Sequence, residues 1–179
     1  HISSYVPVPI LEIGSFLQDN DIDRVRKLFA RESKDFLQKY FKKELFFTDV
    51  EGKTKDEVLK NLCRKVEQEK GLPETFTASV LKREELTPTD YGNLVALPHP
   101  ERAFQERAFV AVAVLKEPIF WFRQKVQVVF LTAIGREEDE NLQQFYEATT
   151  DLILRPADVQ NLIRHPDYDR LIQLLRRAE

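Results

Sequence analysis

A histidine, an arginine and two threonines gather in one stretch of this 179-residue chain. His99 follows the run Leu94-Val95-Ala96-Leu97-Pro98. Four apolar residues suit a buried strand and are too few for a helix. Pro98 cannot donate to a sheet ladder, so it ends the strand and delivers His99 to the rim of a sheet. Arg83 stands near the end of a predicted helix, and Thr87 and Thr89 lie in the loop between that helix and the strand. This set is coherent for phosphoryl transfer. An imidazole nitrogen attacks phosphorus in line, a guanidinium neutralises the equatorial oxygens and hydroxyls orient them. A phosphohistidine donor would require no metal. The same pattern equally describes a surface arginine and two loop threonines that never meet the histidine.

Other chemistries find little support. The chain contains neither G-x-x-x-x-G-K-[ST] nor G-x-G-x-x-G, and only five glycines in all. One cysteine and three scattered histidines do not make a zinc site. His1 opens the chain, and His165 precedes Pro166 at a helix end. Glu84-Glu85 and Glu137-Glu138 read as solvated helix faces, and Arg176-Arg177 as a helix C-terminus that favours cations. We therefore expect no cofactor and no metal. Formal charge is -3 with both signs interspersed, so no basic stripe suggests direct contact with nucleic acid. The lone Cys63 excludes an internal disulfide and suits a reducing cytoplasm; its spacing from Leu59, Leu62 and Val66 assigns it to a buried helix face. No apolar run is long enough to span a bilayer, so no membrane association is expected. The start at His1 and the lack of any Met point to a piece of a longer protein.

Alternating elements must position the site. Residues 1–44 read as a Pro- and Val-rich extended segment followed by connecting helix, the tail of a preceding domain. A strand is expected at Leu45-Phe46-Phe47. A helix follows with Thr54 as N-cap and Glu57 three residues on, the capping-box pattern, and stops at Gly71. A second helix, about Glu74 to Glu85, carries Arg83. Glu101 to Arg107 looks like an exposed loop. Phe109–Leu115 and Val126–Thr132 are continuous apolar strands of the kind covered on both faces. The aromatic group Phe120-Trp121-Phe122 is assigned to packing. Helices are expected at about Glu138–Leu154, Pro156–Arg164 and Asp167–Arg177. Strands interleaved with helices imply an α/β fold, a mixed sheet sandwiched by helices, over residues 45–179.

Lys82-Arg83-Glu84-Glu85-Leu86-Thr87-Pro88-Thr89, followed by Gly92-Asn93-Leu94-Val95-Ala96-Leu97-Pro98-His99, resembles the signature of mannitol/fructose-type enzyme IIA domains of the bacterial phosphotransferase system. The resemblance extends from about Leu45 to Arg177. It implies that His99 is the phosphoacceptor and Arg83 the phosphate-binding arginine, with Thr89 shaping the same pocket. It also implies partners: the phosphocarrier protein HPr, IIB-type domains, or both.

Two positions depart from the pattern. Pro100 replaces the usual Gly and has no N–H to offer a phosphate. Asn141-Leu142 stands where many members carry a His-Leu or His-Ile pair, and Asn141 can hydrogen-bond in the pocket but cannot become a cation. Both changes weaken phosphoryl relay more than phosphorylation itself. Pro7-Val8-Pro9-Ile10-Leu11-Glu12-Ile13 resembles the end of a IIB-like domain. A IIB-like domain followed by a IIA domain is the order of transcriptional regulators of the antiterminator/activator class, whose neighbouring domains would then be further partners. The expected function is thus a cytoplasmic, sugar-responsive regulatory domain phosphorylated on His99, with homodimerisation left open. The alternatives are a relaying IIA component of a sugar permease and a degenerate packing module.

Overall fold

The computed structural model describes residues 37–136 and 142–177. The two central strands are apolar on both faces, so the sheet must be covered twice. It has five strands in the order β1-β4-β5-β3-β2: β1 is Phe41–Phe47, β2 Asp90–Gly92, β3 Val95–Ala96, β4 Phe109–Phe120 and β5 Lys125–Ala133. β4 and β5 form the antiparallel centre, while β1 against β4 and β3 against β5 are parallel. Alternate residues of β4 part to opposite faces. Val110, Val112 and Val114 join one core with α3 (Leu142–Ile153), α4 (Pro156–Arg164) and α5 (Tyr168–Arg176). Phe109, Ala111, Ala113 and Leu115 join the other with α1 (Lys55–Lys70) and α2 (Thr75–Leu86). The mixed sheet sandwiched by helices is the expected fold.

Local chemistry sets the helix limits. The Thr54 hydroxyl accepts from the Glu57 amide, and Gly71 ends α1 at φ 63, where a side chain would be strained. The first turn of α2 is capped by its neighbour: Glu67 of α1 accepts from both the amide and the hydroxyl of Thr77, at 2.9 and 2.7 Å. α1 and α2 therefore hold each other at the end opposite Arg83.

The first strand begins four residues before the expected Leu45, at Phe41. Lys42, Lys43 and Glu44 are exposed on the open edge of the sheet, and these charges concealed the strand pattern. Leu37, Tyr40 and Phe41 are buried in the core beneath α3 to α5, so residues 37–44 pack as part of this domain. The reading of residues 1–36 as a IIB-like tail lies outside the described residues. Among the described residues, no helix is long and apolar enough to cross a membrane.

Candidate functional site

The expected strand Leu94–Leu97 is shorter in the fold, because its first residue is spent on a turn. Asn93 and Leu94 have φ of 50 and 65, the two left-handed central positions of a tight hairpin between β2 and β3. The Asn93 side-chain Nδ2 donates to the Ile153 carbonyl at 2.9 Å, and the Leu94 carbonyl accepts from the backbone amides of Gln127 and Val128. Only Val95 and Ala96 remain as strand. Beyond them the chain stays extended between two neighbours. The Leu97 amide donates to the Thr89 carbonyl at 3.1 Å, and the Pro98 carbonyl accepts from the Thr132 amide at 3.0 Å. The Glu101 amide then donates to the Ser79 hydroxyl of α2 at 2.9 Å. His99 thus sits on a segment pinned on both sides, at the rim of the sheet.

The imidazole of His99 is half-buried. Its Nδ1 lies 3.1 Å from the carbonyl oxygen of its neighbour Pro100. A carbonyl can only accept, so the proton of the neutral ring resides on Nδ1 and the lone pair on Nε2. The ring forms part of two adjoining hollows. One, of about 520 Å³, is lined by Arg83, His99, Pro100, Glu101, Arg102 and Ala103, closed by Thr132 and Ile134. The other, of about 380 Å³, runs past Thr89, Tyr91 and Leu97 to Phe145, Tyr146 and Thr149 of α3. His99, Thr132 and Ile134 form the wall between them.

The structure therefore brings Arg83 to the same hollow as His99. Arg83 stands in the last turn of α2, and its guanidinium donates to the Thr87 carbonyl at 3.2 Å. That is its only hydrogen bond among the described residues, and it leaves most of the five-donor fork unused. Thr89 lines the second hollow, but its hydroxyl is engaged elsewhere. Both its amide and its hydroxyl donate to the Glu84 carboxylate, each at 2.8 Å. Asn141 lies outside the described residues.

Glu84 corrects the sequence reading. It is not on a solvated face; it is 1% exposed, while Glu85 beside it is exposed. Besides Thr89, its carboxylate accepts from the indole N–H of buried Trp121 at 2.7 Å. One buried carboxylate thus joins α2, the loop before β2 and the end of β4. Asp90 does the same a residue after Thr89, accepting from the amides of Arg123 and Gln124 at 2.7 and 2.8 Å. Thr132, in the strand expected to be buried, is a second residue whose place beside His99 the pattern did not reveal. No local signal marks either one: adjacent glutamates look alike until a partner buries one of them.

Electrostatics favour an anion in the larger hollow. Arg83 and Arg102 both line it, and its one acidic residue, Glu101, is 3.0 Å from the Lys82 ammonium outside it. The smaller hollow is mainly apolar, and burial pushes the Tyr146 hydroxyl above its ordinary pKa, so it is a neutral wall.

Comparison with known proteins bears on the family and the fold. A relative from Bacillus subtilis (strain 168), "Probable licABCH operon regulator", is 34% identical over 170 residues, covering 95% of this chain and 26% of the relative. The transcriptional regulator ManR of the same organism is 27% identical over 120 residues, covering 67% of this chain and 18% of ManR. The chain thus spans about a quarter or less of these relatives. Among solved structures, the complex of enzyme IIAMtl and phosphorylated enzyme IIBMtl from Escherichia coli matches with a TM-score of 0.63 at 18% identity. That match covers 76% of this chain and 98% of the other, and it shows the shared fold. The family model described as "Phosphoenolpyruvate-dependent sugar phosphotransferase system, EIIA 2" matches residues 39–178, and the chain belongs to that family, the mannitol/fructose-type enzyme IIA domains.

Proposed function

We propose that this domain accepts a phosphoryl group on Nε2 of His99 and serves as the regulatory enzyme IIA-like domain of a sugar-responsive transcription regulator. The observation that carries the reading is the 3.1 Å contact of Nδ1 with the Pro100 carbonyl, which leaves Nε2 as the nucleophile in a hollow that Arg83 also lines. In the proposed step the Nε2 lone pair attacks the phosphorus of a phosphohistidine on the donor protein. The new N–P bond forms as the donor's N–P bond breaks, and the donor ring leaves with that electron pair. The Nδ1 proton of His99 stays in place. The acceptor ring becomes cationic, held by the Pro100 carbonyl and offset by the two negative charges of the phosphoryl group. Arg83 pairs with the phosphoryl oxygens.

The regulatory part of the reading is supported by the relatives from Bacillus subtilis, each a regulator several times longer than this chain. HPr is the proposed donor and IIB-type domains are further partners, as in the Escherichia coli complex. They would dock on the exposed apolar rim formed by Tyr91, Ile134 and Tyr146. The domain boundary is proposed to lie just before Leu37, with a IIB-like segment ahead of it, and the site of action is the cytoplasm. Asn141 is retained as a supporting pocket residue and Thr89 as the residue that Glu84 holds in the wall.

Incubation with enzyme I, HPr and phosphoenolpyruvate, read by phosphorus NMR, should give an acid-labile Nε2-phosphohistidine signal. His99→Ala should abolish it. Label that persists in that variant would overturn the assignment, and an Nδ1-phosphohistidine signature would overturn the choice of nitrogen.

A further inference from the structure

We infer that Arg102 is a second phosphate-binding arginine of the His99 hollow, standing in for the backbone donor that Pro100 removes. This rests on the proposed role of His99 as phosphoacceptor. One observation places Arg102 there, and two describe how it is held. It lines the same hollow of about 520 Å³ as His99 and Arg83. Its backbone is set by the residue before it: the Glu101 amide is bound to the Ser79 hydroxyl on α2 at 2.9 Å, and Ser79 is buried. Its guanidinium carbon is 5.1 Å from the centre of Phe104, on the side of an adjoining hollow that Arg102 also lines, and Phe104 is set edge-on against buried Phe76 at 5.3 Å. A planar cation laid on an aromatic face keeps its N–H edge free to donate in the ring plane.

The charge arrangement has the same direction. Glu101 is the one carboxylate lining the hollow, and Lys82 draws it outward at 3.0 Å. Two arginines, from α2 and from the loop after His99, therefore line a space whose one acid is paired with Lys82. Residue 100 is the backbone position next to the nucleophile, and as proline it has no N–H. A dianionic phosphoryl group on His99 would lack that donor. Arg102, two residues further on, supplies side-chain donors from the same loop. Sequence pattern could not reveal this, because arginines in a charged loop are usually solvated.

The test uses the full chain and inorganic phosphate as the probe. Phosphate is titrated against the wild type, Arg102→Gln, Arg102→Lys and Arg83→Gln, following the ring protons of His99 by NMR. A single exposed charge-assisted contact gives an expected loss of about two- to fivefold in phosphate affinity for Arg102→Gln. Arg102→Lys should recover part of it, since a lysine keeps the charge and loses the fork. Phosphate affinity in Arg102→Gln equal to that of the wild type overturns the inference. In parallel, the label transferred from phosphorylated HPr is measured. Arg102→Gln should still be labelled on His99 but reach a lower steady fraction. Failure of the wild type to take label would sink the acceptor reading alone, because the phosphate titration decides the role of Arg102 separately.

Discussion

Removing the Glu84 carboxylate should be among the most damaging single changes outside the hydrophobic core. Glu84 is 1% exposed and accepts three hydrogen bonds, from the Thr89 amide, the Thr89 hydroxyl and the Trp121 indole. Truncation to Ala strands the indole N–H in a residue that is itself 5% exposed. A buried donor left unpaired costs about 1–3 kcal/mol, and the half-buried Thr89 amide adds a further part of that. The Thr89 hydroxyl can rotate toward solvent and adds little. The sum is about 2–4 kcal/mol, set by neutral donors left without an acceptor. Glu84→Gln keeps one acceptor oxygen and should cost about 1–2 kcal/mol. Glu85→Ala, on the exposed neighbour, should stay within about 0.5 kcal/mol of the wild type.

Trp121 is the only tryptophan in the chain and packs against this carboxylate, so its fluorescence reports the unfolding directly. With a urea slope of about 2 kcal/mol per molar, Glu84→Ala should lower the midpoint by about 1–2 M. A midpoint within about 0.3 M of the wild type would refute the reasoning. A double variant with Trp121→Phe, followed by circular dichroism, should recover part of the loss, because the stranded donor is then gone.

Other consequences are as specific. A methyl group at Gly135 would collide with the Glu106 carbonyl oxygen and come within 2.6 Å of the Arg107 carbonyl carbon, so Gly135→Ala should destabilise by about 2–4 kcal/mol in the same urea assay. Burial pushes the Cys63 thiol upward, so the native protein should resist alkylation by iodoacetamide near pH 8 and react once unfolded. The unfolded thiol loses its proton above about pH 9 while the folded one keeps it, so folding stability should fall by about 1.4 kcal/mol per pH unit beyond that point, relative to a Cys63→Ala variant.

Local pattern carried much of this protein. The capping of α1 by Thr54, its stop at Gly71, the paired apolar strands and the Pro98 break that exposes His99 all depend on residues within a few positions of each other. Such signals survive in a one-dimensional reading because the forces behind them are short-ranged. The Arg83 and His99 motif was legible for the same reason, since both positions fall in one segment linked by a single loop. Tertiary structure decided what no neighbour in sequence could. The first strand starts at Phe41 because β4 pairs with it, although the charges of Lys42, Lys43 and Glu44 hide its alternation. Leu94 adopts a left-handed turn because β5 takes its carbonyl. Glu84 and Glu85 are identical side chains one residue apart, and only the approach of Thr89 and Trp121 buries one of them. The proposed choice of Nε2 over Nδ1 on His99 likewise rests on where the Pro100 carbonyl comes to rest. Burial, tautomer and register are properties of what the rest of the chain brings near, so they are settled only when the chain has folded.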